Sequence, residues 1–405
     1  QMHGATLLDA NSDVIRPCML WNDTRSYREA AVLDENPLFR KISGNIVFPG
    51  FTAPKIVWVK DNEPDAFARL SKVLLPKDYL RYWLTGEFVS EMSDASGTSW
   101  LDVENRCWSE GLLAAGSLDE SYMPALVEGS ATSGILRNDL AADWGMDNGV
   151  VVAGGGGDNA ASAVGMGTVN DEDAFVSLGT SGVLLAATNA YRPKPESAVH
   201  TFCHALPDMW HQMGVILSAT DALNWYAGLV GKDAADLTAS LGTELEEPSG
   251  VIFLPYLSGE RTPHNDAAIR GAFIGLDHGS DDLTLTRSVL EGVTFALRDN
   301  LAALESAGTT LTSITAVGGG SRSIYWLKLI ATVLGLQIKI PADGDFGAAF
   351  GAARLGMIAK QNCDWQEVCI PPVTDTTIDP ETALTTSFEE QWQRYRSVYS
   401  NIKGL

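Results

Sequence analysis

The chain has 405 residues, 45% of them hydrophobic and 20% charged, enough for two or more domains with cores of their own. A formal charge of −23 repels nucleic acid, and no basic patch relieves it, so a nucleic-acid partner is excluded. No run of about 18 apolar residues suggests a membrane partner, and the start, QMHGATLLDA, has neither an initiator methionine nor the basic-then-apolar pattern of a secretory leader.

In chain order, the apolar runs on either side of Asp9-Ala10-Asn11-Ser12 predict a hairpin and an extended segment. WNDTRSYREAAVLDE predicts a helix starting near Asn22 or Asp23. Residues 52–86 read as helix in pieces closed by Gly86, and residues 108–148 as further short helices. A buried strand, 149–153, then meets four glycines and a helix of small residues. Strands Ala174–Leu178 and Val183–Ala187 flank the turn GTSG, with further strands at 213–218 and 249–257. Leu290, Val293, Leu297, Leu301 and Leu304 recur at three and four, predicting an amphipathic helix over Asp282–Ala307. Strand Ser313–Val317 runs into GGGS. A helix to Leu334, stopped by Gly335, a strand over Leu336–Ile340, a helix over 346–360 and a last helix near 387–402 follow. Alternating strands and helices define an α/β fold with a substantial sheet. The expected division is 1–170, 171–361 and a tail with a closing helix, 362–405.

Cys18, Cys107, Cys203, Cys363 and Cys369 form no CxxC pair and are odd in number. That points to reduced thiols in a cytoplasm rather than to a disulfide framework. The excess of acidic residues reads as ordinary solubility, with a salty habitat as the alternative. His200, His204, His211, His264 and His278 show no metal-ligand spacing.

Three glycine-rich turns stand out: GGGGDN at 154–159, GTSG at 179–182 and GGGS at 318–321. Successive N–H groups in such turns attract phosphate, and an acidic chain needs such local donors, with a metal ion, to hold an anionic nucleotide. None matches the P-loop or the dinucleotide fingerprint. Asp158 admits two readings. It is either a helix cap bonded to the N–H of Ala160 or Ala161, or a base that takes a proton from a substrate hydroxyl, with Asn159 beside it suited to a polyol.

The segments MHGATLLD, LWNDTR, GFTAPKIVWVKDNEP, LLPKDYLRYWLTGEF, MSDASGTSWLDV, GGGGDNAASAVG, SLGTSGVLLA, FLPYLSGERTPHND and AVGGGSRSIYW occur in order over nearly the whole chain. In them the sequence resembles the FGGY carbohydrate kinases, and within that family the branch acting on xylulose. Thr284 departs from the family's second signature, where an acid or amide is usual. The resemblance implies an actin-like ATPase fold of two ribonuclease-H-like domains with ATP and sugar in the cleft between them. It implies transfer of the ATP γ-phosphoryl to O5 of D-xylulose, assisted by Mg²⁺. Met2, His3 and Asn159 would contact the sugar, and Asp158 would be the general base. Gly179 and Thr180 would meet the ATP phosphates, Gly319 and Gly320 would line the adenosine side, and PYLSGERTPH would form a nucleotide-side loop. Trp21 and Asp23 would shape the sugar pocket, against packing for the Trp and helix capping for the Asp. A homodimer is common in the family.

The family opens with a strand and a D-x-G-T phosphate hairpin, whereas this chain begins at Gln1 inside the later Q-M-H-G motif. A first domain without that hairpin and its Mg²⁺-holding acid is therefore expected, with unpaired sheet edges. The alternatives are a sugar- or nucleotide-binding remnant without catalysis, a kinase for another ketose or polyol, and an ATPase acting on proteins. The MHG and LWND segments argue against the last.

Overall fold

The structure, a computed structural model, describes residues 1–342 and 347–404. Its centre is a seven-stranded sheet of β1 (Ala174–Leu178), β2 (Gly182–Thr188), β3 (His200–Cys203), β4 (Trp210–Ile216), β5 (Ser313–Val317), β6 (Gln337–Pro341) and β7 (Thr374–Ile378), in the order β3-β4-β2-β1-β5-β6-β7. The β1–β2 hairpin extends antiparallel through β4 to β3. On the other side β5 lies parallel to both β1 and β6, and β7 closes the edge antiparallel. The helices used below are α1 (Asp158–Met166), α2 (Thr220–Val230), α3 (Asp282–Ser306), α4 (Ile324–Leu334), α5 (Ala348–Gln361) and α6 (Thr385–Ile402).

The stripe predicted for α3 is its buried face. Leu290, Val293, Leu297, Leu301 and Leu304 are all 0% exposed, each contributing on the order of 1.5–3 kcal/mol by leaving water. Asp281 caps this helix by accepting the Thr284 N–H at 2.9 Å. Gly335 ends α4 in the left-handed conformation, as expected. The last helix enters the same core through Phe388, Trp392 and Tyr395. The predicted start of α5, Phe346, lies outside the described residues.

The first half pairs its strands two at a time: Thr6–Leu8 with Lys72–Leu74, Val89–Glu91 with Ala125–Val127, and Thr132–Ile135 with Val151–Ala153. Several expectations change here. The hairpin at Asp9–Ser12 survives as the bridges Leu8–Val14 and Ala5–Met19. The first helix begins at Tyr27, because the Asp23 carboxylate folds back onto the Arg25 N–H at 3.1 Å and makes a turn instead. Residues 72–74, 125–127 and 132–135 are strands, since pairing with distant segments overrides local helical pattern. The strand at 249–257 shrinks to Ile252–Leu254 against Ala272–Ile274, and 151–153 is half-buried. Strands β3 and β7 were not anticipated. Among the described residues no helix is long and apolar enough to cross a membrane.

Two carboxyls are sealed where α3 and α6 meet the 256–266 loop. Burial raises Glu260 to about 8, against the opposing N–H bonds from Arg261 and Leu217. Burial likewise raises Asp299 to about 7, against Arg396 and the bond from Trp392. Both folded values lie above the unfolded ones, so their contribution is complete below about pH 4 and is lost as pH rises through 7 and 8. The melting temperature is therefore expected to fall between pH 5 and pH 9. Glu260→Gln, neutral throughout, flattens that slope; an unchanged slope in a pH series of melting curves would assign it to other groups.

Candidate active site

The four glycines thread a narrow gap. A side chain on Gly154 would stand 2.3 Å from the Glu128 carbonyl oxygen, and Gly155 has φ +79°, a conformation only glycine adopts cheaply. The run is fixed from both sides. Arg81 Nη2 donates to the Gly154 carbonyl, and the Gly157 N–H donates to Ser93 Oγ at 3.0 Å. Gly157 is thus the N-cap of α1, and Asp158 is its first helical residue.

The capping role weighed for Asp158 is not realised. The Ala161 N–H donates to the Gly157 carbonyl at 2.8 Å, and the Asp158 carboxylate turns outward. Its Oδ1 accepts the Asn159 N–H at 2.8 Å and Asn159 Nδ2 at 3.1 Å. The residue is exposed, and its negative charge sits at the favourable end of the helix dipole. The far end of α1 is held by Arg354 of α5, whose Nη1 donates to the Val164 and Gly165 carbonyls at 2.9 and 3.0 Å.

Met2 and His3 are half-buried, and His3 meets the short helix Met92–Ala95 at Asp94, next to the Ser93 that holds Gly157. His3 has φ +56°, and its ring stands edge-on to Phe51 and Phe202 at 5.4 and 5.8 Å. Trp21 is 47% exposed, so core packing does not account for it. Asp23 pairs with Arg25 at 2.8 Å and does not cap the helix. Buried Lys55 ties its backbone down, donating to the Asp23 and Pro49 carbonyls at 2.7 and 2.8 Å.

The second-half turns converge on Leu178, the last residue of β1. Gly318, with φ +91°, approaches so closely that a side chain would stand 2.8 Å from the Leu178 carbonyl oxygen. The GTSG tip begins at the next residue. Its carbonyls are consumed by the start of α2: Gly179 O accepts the Thr220 N–H at 2.9 Å and its hydroxyl at 2.7 Å, and Thr180 O accepts the Ala219 N–H at 2.8 Å. Among the described residues the N–H groups of Gly179, Thr180 and Ser181 have no protein acceptor. They form a partly exposed backbone donor set suited to an anion. Beside it opens a cavity of about 640 Å³ lined by Thr220, Asn224, Gly319, Gly320, Ser323 and Trp326, among others, a size that takes a nucleoside.

The 255–264 loop does not line that cavity. It braces it: Glu260 Oε1 accepts the Leu217 N–H at 3.1 Å, three residues before Thr220. Among the described residues no group of three or more His, Cys, Asp or Glu side chains is placed to hold a metal ion. Sequence reasoning missed Glu91, Ser93 and Asp94, buried beside the glycines, and the partly buried Lys77. Their only signal was charge inside LLPKDYL and EMSDASG, segments otherwise apolar or small.

A parallel and antiparallel sheet, a phosphate-type hairpin beside a nucleoside-sized cavity, and an outward carboxylate at a helix start define a phosphotransferase of the actin-like ATPase fold. The FGGY family of carbohydrate kinases, N-terminal domain, matches residues 1–165, and its C-terminal domain matches residues 174–360. The chain therefore belongs to the FGGY family of carbohydrate kinases, and it is an ATP-dependent enzyme of that class. A xylulose kinase of Escherichia coli (strain K12) is 52% identical over 409 aligned residues, covering 100% of this chain and 84% of that protein. The crystal structure of a xyloylose kinase from Brucella ovis superposes with a TM-score of 0.97 at 65% identity, over 99% of this chain and 83% of that one. A xylulose kinase from Rhodospirillum rubrum gives 0.91 at 27% identity, over 98% and 82%.

Proposed function

We propose that the chain transfers the γ-phosphoryl of ATP to O5 of D-xylulose, giving D-xylulose 5-phosphate and ADP, in the cytoplasm. Five unpaired cysteines support that compartment. The observation that carries the reading is the outward Asp158 carboxylate, oriented by Asn159, in a chain alike throughout its length to xylulose kinases.

Asp158 takes the hydroxyl proton as the sugar oxygen bonds to the γ-phosphorus and the bridging oxygen leaves with ADP. Asn159 holds Oδ1, so Oδ2 receives the proton, and its amide oxygen is available to a sugar hydroxyl. Met2 and His3 face the sugar. The N–H groups of Gly179 and Thr180 bind phosphate oxygens, and Gly319 and Gly320 border the adenosine. Mg²⁺ enters as the MgATP substrate. Its ligands would be chiefly phosphate and water oxygens with one or two carboxylates. Bound there, it would offset the charge that develops on the phosphates.

An ADP-release assay over D-xylulose, D-ribulose, gluconate and glycerol at fixed MgATP tests the reading. The largest kcat/KM is expected for D-xylulose. A larger value for another polyol, or ATP hydrolysis independent of sugar, overturns it.

A further inference from the structure

The turn Glu91–Asp94 joins the two elements that the proposed function places on the sugar, and the mechanism so far gives it no part. Asp94 is completely buried, and its Oδ1 accepts the His3 backbone N–H at 3.0 Å and lies 2.8 Å from His3 Nδ1. Two acceptors cannot sit at 2.8 Å, so Nδ1 carries a hydrogen, and in the Nδ1–H tautomer Nε2 is the ring's acceptor. The same carboxylate holds His3 in its left-handed backbone conformation, φ +56°. The space the ring occupies exists because residue 97 is glycine: a side chain there would stand 2.1 Å from the imidazole. On its other side the turn reaches the glycine run. Ser93 Oγ accepts the Gly157 N–H at 3.0 Å and itself donates to Glu91 Oε2 at 2.7 Å, and a side chain on Gly157 would meet Asp94 at 3.9 Å.

Resting on the sugar-kinase reading, we propose that Asp94 is the positioning residue of the sugar site: it fixes His3 in the Nδ1–H tautomer, so that Nε2 accepts a hydrogen bond from a sugar hydroxyl. Lys77, partly buried with its side chain 15% exposed, lies 3.5 Å from Asp94 Oδ2 and favours the ionised form of that carboxylate. Burial alone would push its proton affinity up; Lys77 and the two His3 contacts together outweigh burial and hold it down. A sugar-binding ring therefore stays oriented whether or not substrate is present, and its approach to the carbohydrate is coupled to the turn that begins α1 at Asp158.

The test combines spectroscopy with kinetics on the full chain. In protein labelled with ¹⁵N-histidine, the resonance lost in His3→Ala identifies His3, and its shifts without substrate are expected to report Nδ1–H. Asp94→Asn is expected to raise the KM for D-xylulose about ten- to hundredfold, the span of a charge-assisted hydrogen bond. The KM for ATP stays as in the wild type. The double variant His3→Ala/Asp94→Asn loses no more than His3→Ala alone, since the carboxylate acts through the ring. An Nε2–H tautomer in the wild type, or losses that multiply in the double variant, overturn the proposal. A wild-type chain that fails to phosphorylate D-xylulose overturns the substrate reading instead. The tautomer, measured without substrate, still decides the role of Asp94.

Discussion

Asp158→Asn is expected to abolish sugar phosphorylation while leaving sugar binding almost intact. The substitution keeps the shape and the position at the start of α1, and its side-chain oxygen can still accept from the Asn159 N–H, now at 2.8 Å. It removes the one function an amide cannot perform, taking a proton from a hydroxyl as the oxygen attacks phosphorus. A general base contributes about 10²–10⁴ in rate, so kcat falls by that factor. The dissociation constant for D-xylulose, measured by calorimetry, changes far less. Because α1 is anchored elsewhere, by Arg354 on its last carbonyls and Ser93 on Gly157, its melting curve stays close to the wild type. Turnover near the wild-type value would remove Asp158 as the base. A loss of sugar affinity equal to the loss of rate would make it a binding group instead.

The glycine run shows which parts of this site were legible in the sequence. A strand, glycines, an acid and a small-residue helix are adjacent in the chain, so their geometry is local and α1 starts within one residue of where the pattern places it. The same holds for GTSG and GGGS, whose flanking strands β1, β2 and β5 agree with prediction to within a residue. What the glycines accommodate was not legible. The Glu128 carbonyl that excludes a side chain at Gly154 is distant in sequence, as is the Leu178 carbonyl under Gly318. Nor was the pairing of Lys72–Leu74 with Thr6–Leu8, because a three-residue strand carries too little periodicity to compete with the helical residues around it. The Asp94–His3 contact spans 91 positions, and a buried carboxylate has no signature in a sequence until its partners are known. The resemblance to carbohydrate kinases supplied the roles of single residues, and the fold supplied the supports behind them.

Those supports lead to the larger stability effect. Lys77→Met is expected to destabilise the protein by roughly 3–5 kcal/mol at pH 7, the cost of stranding buried charge. Lys77 Nζ lies 2.8 Å from Asp78, 3.1 Å from Glu91 and 3.5 Å from Asp94, and all three carboxylates are 0% exposed. Arg81 also serves Asp78, at 2.7 Å, but among the described residues no second lysine or arginine reaches Glu91 or Asp94. Burial works against the charged ammonium, yet the three acids raise its proton affinity above the ordinary lysine value. The stability it confers is therefore complete below about pH 10 and is lost only as pH climbs through the raised value. Asp94 runs the other way. Its lowered value means stability that is present above about pH 4 and lost as pH falls through the folded value. In Lys77→Met the carboxylates lose their compensation and relieve the repulsion by taking protons. The deficit against the wild type is thus largest at neutral pH and narrows toward pH 4. The exposed pair Lys232–Asp282, 49% and 51% exposed, is the control, and Lys232→Met should fall within about 0.5 kcal/mol of the wild type. Denaturant melts of both variants at pH 7 and pH 4.5 make the comparison. If Lys77→Met and Lys232→Met melt alike at pH 7, water reaches the cluster and the carboxylates need no fixed cation; a large, acid-relieved deficit in Lys77→Met alone identifies this lysine as the counter-charge that lets three buried acids stand behind the sugar site.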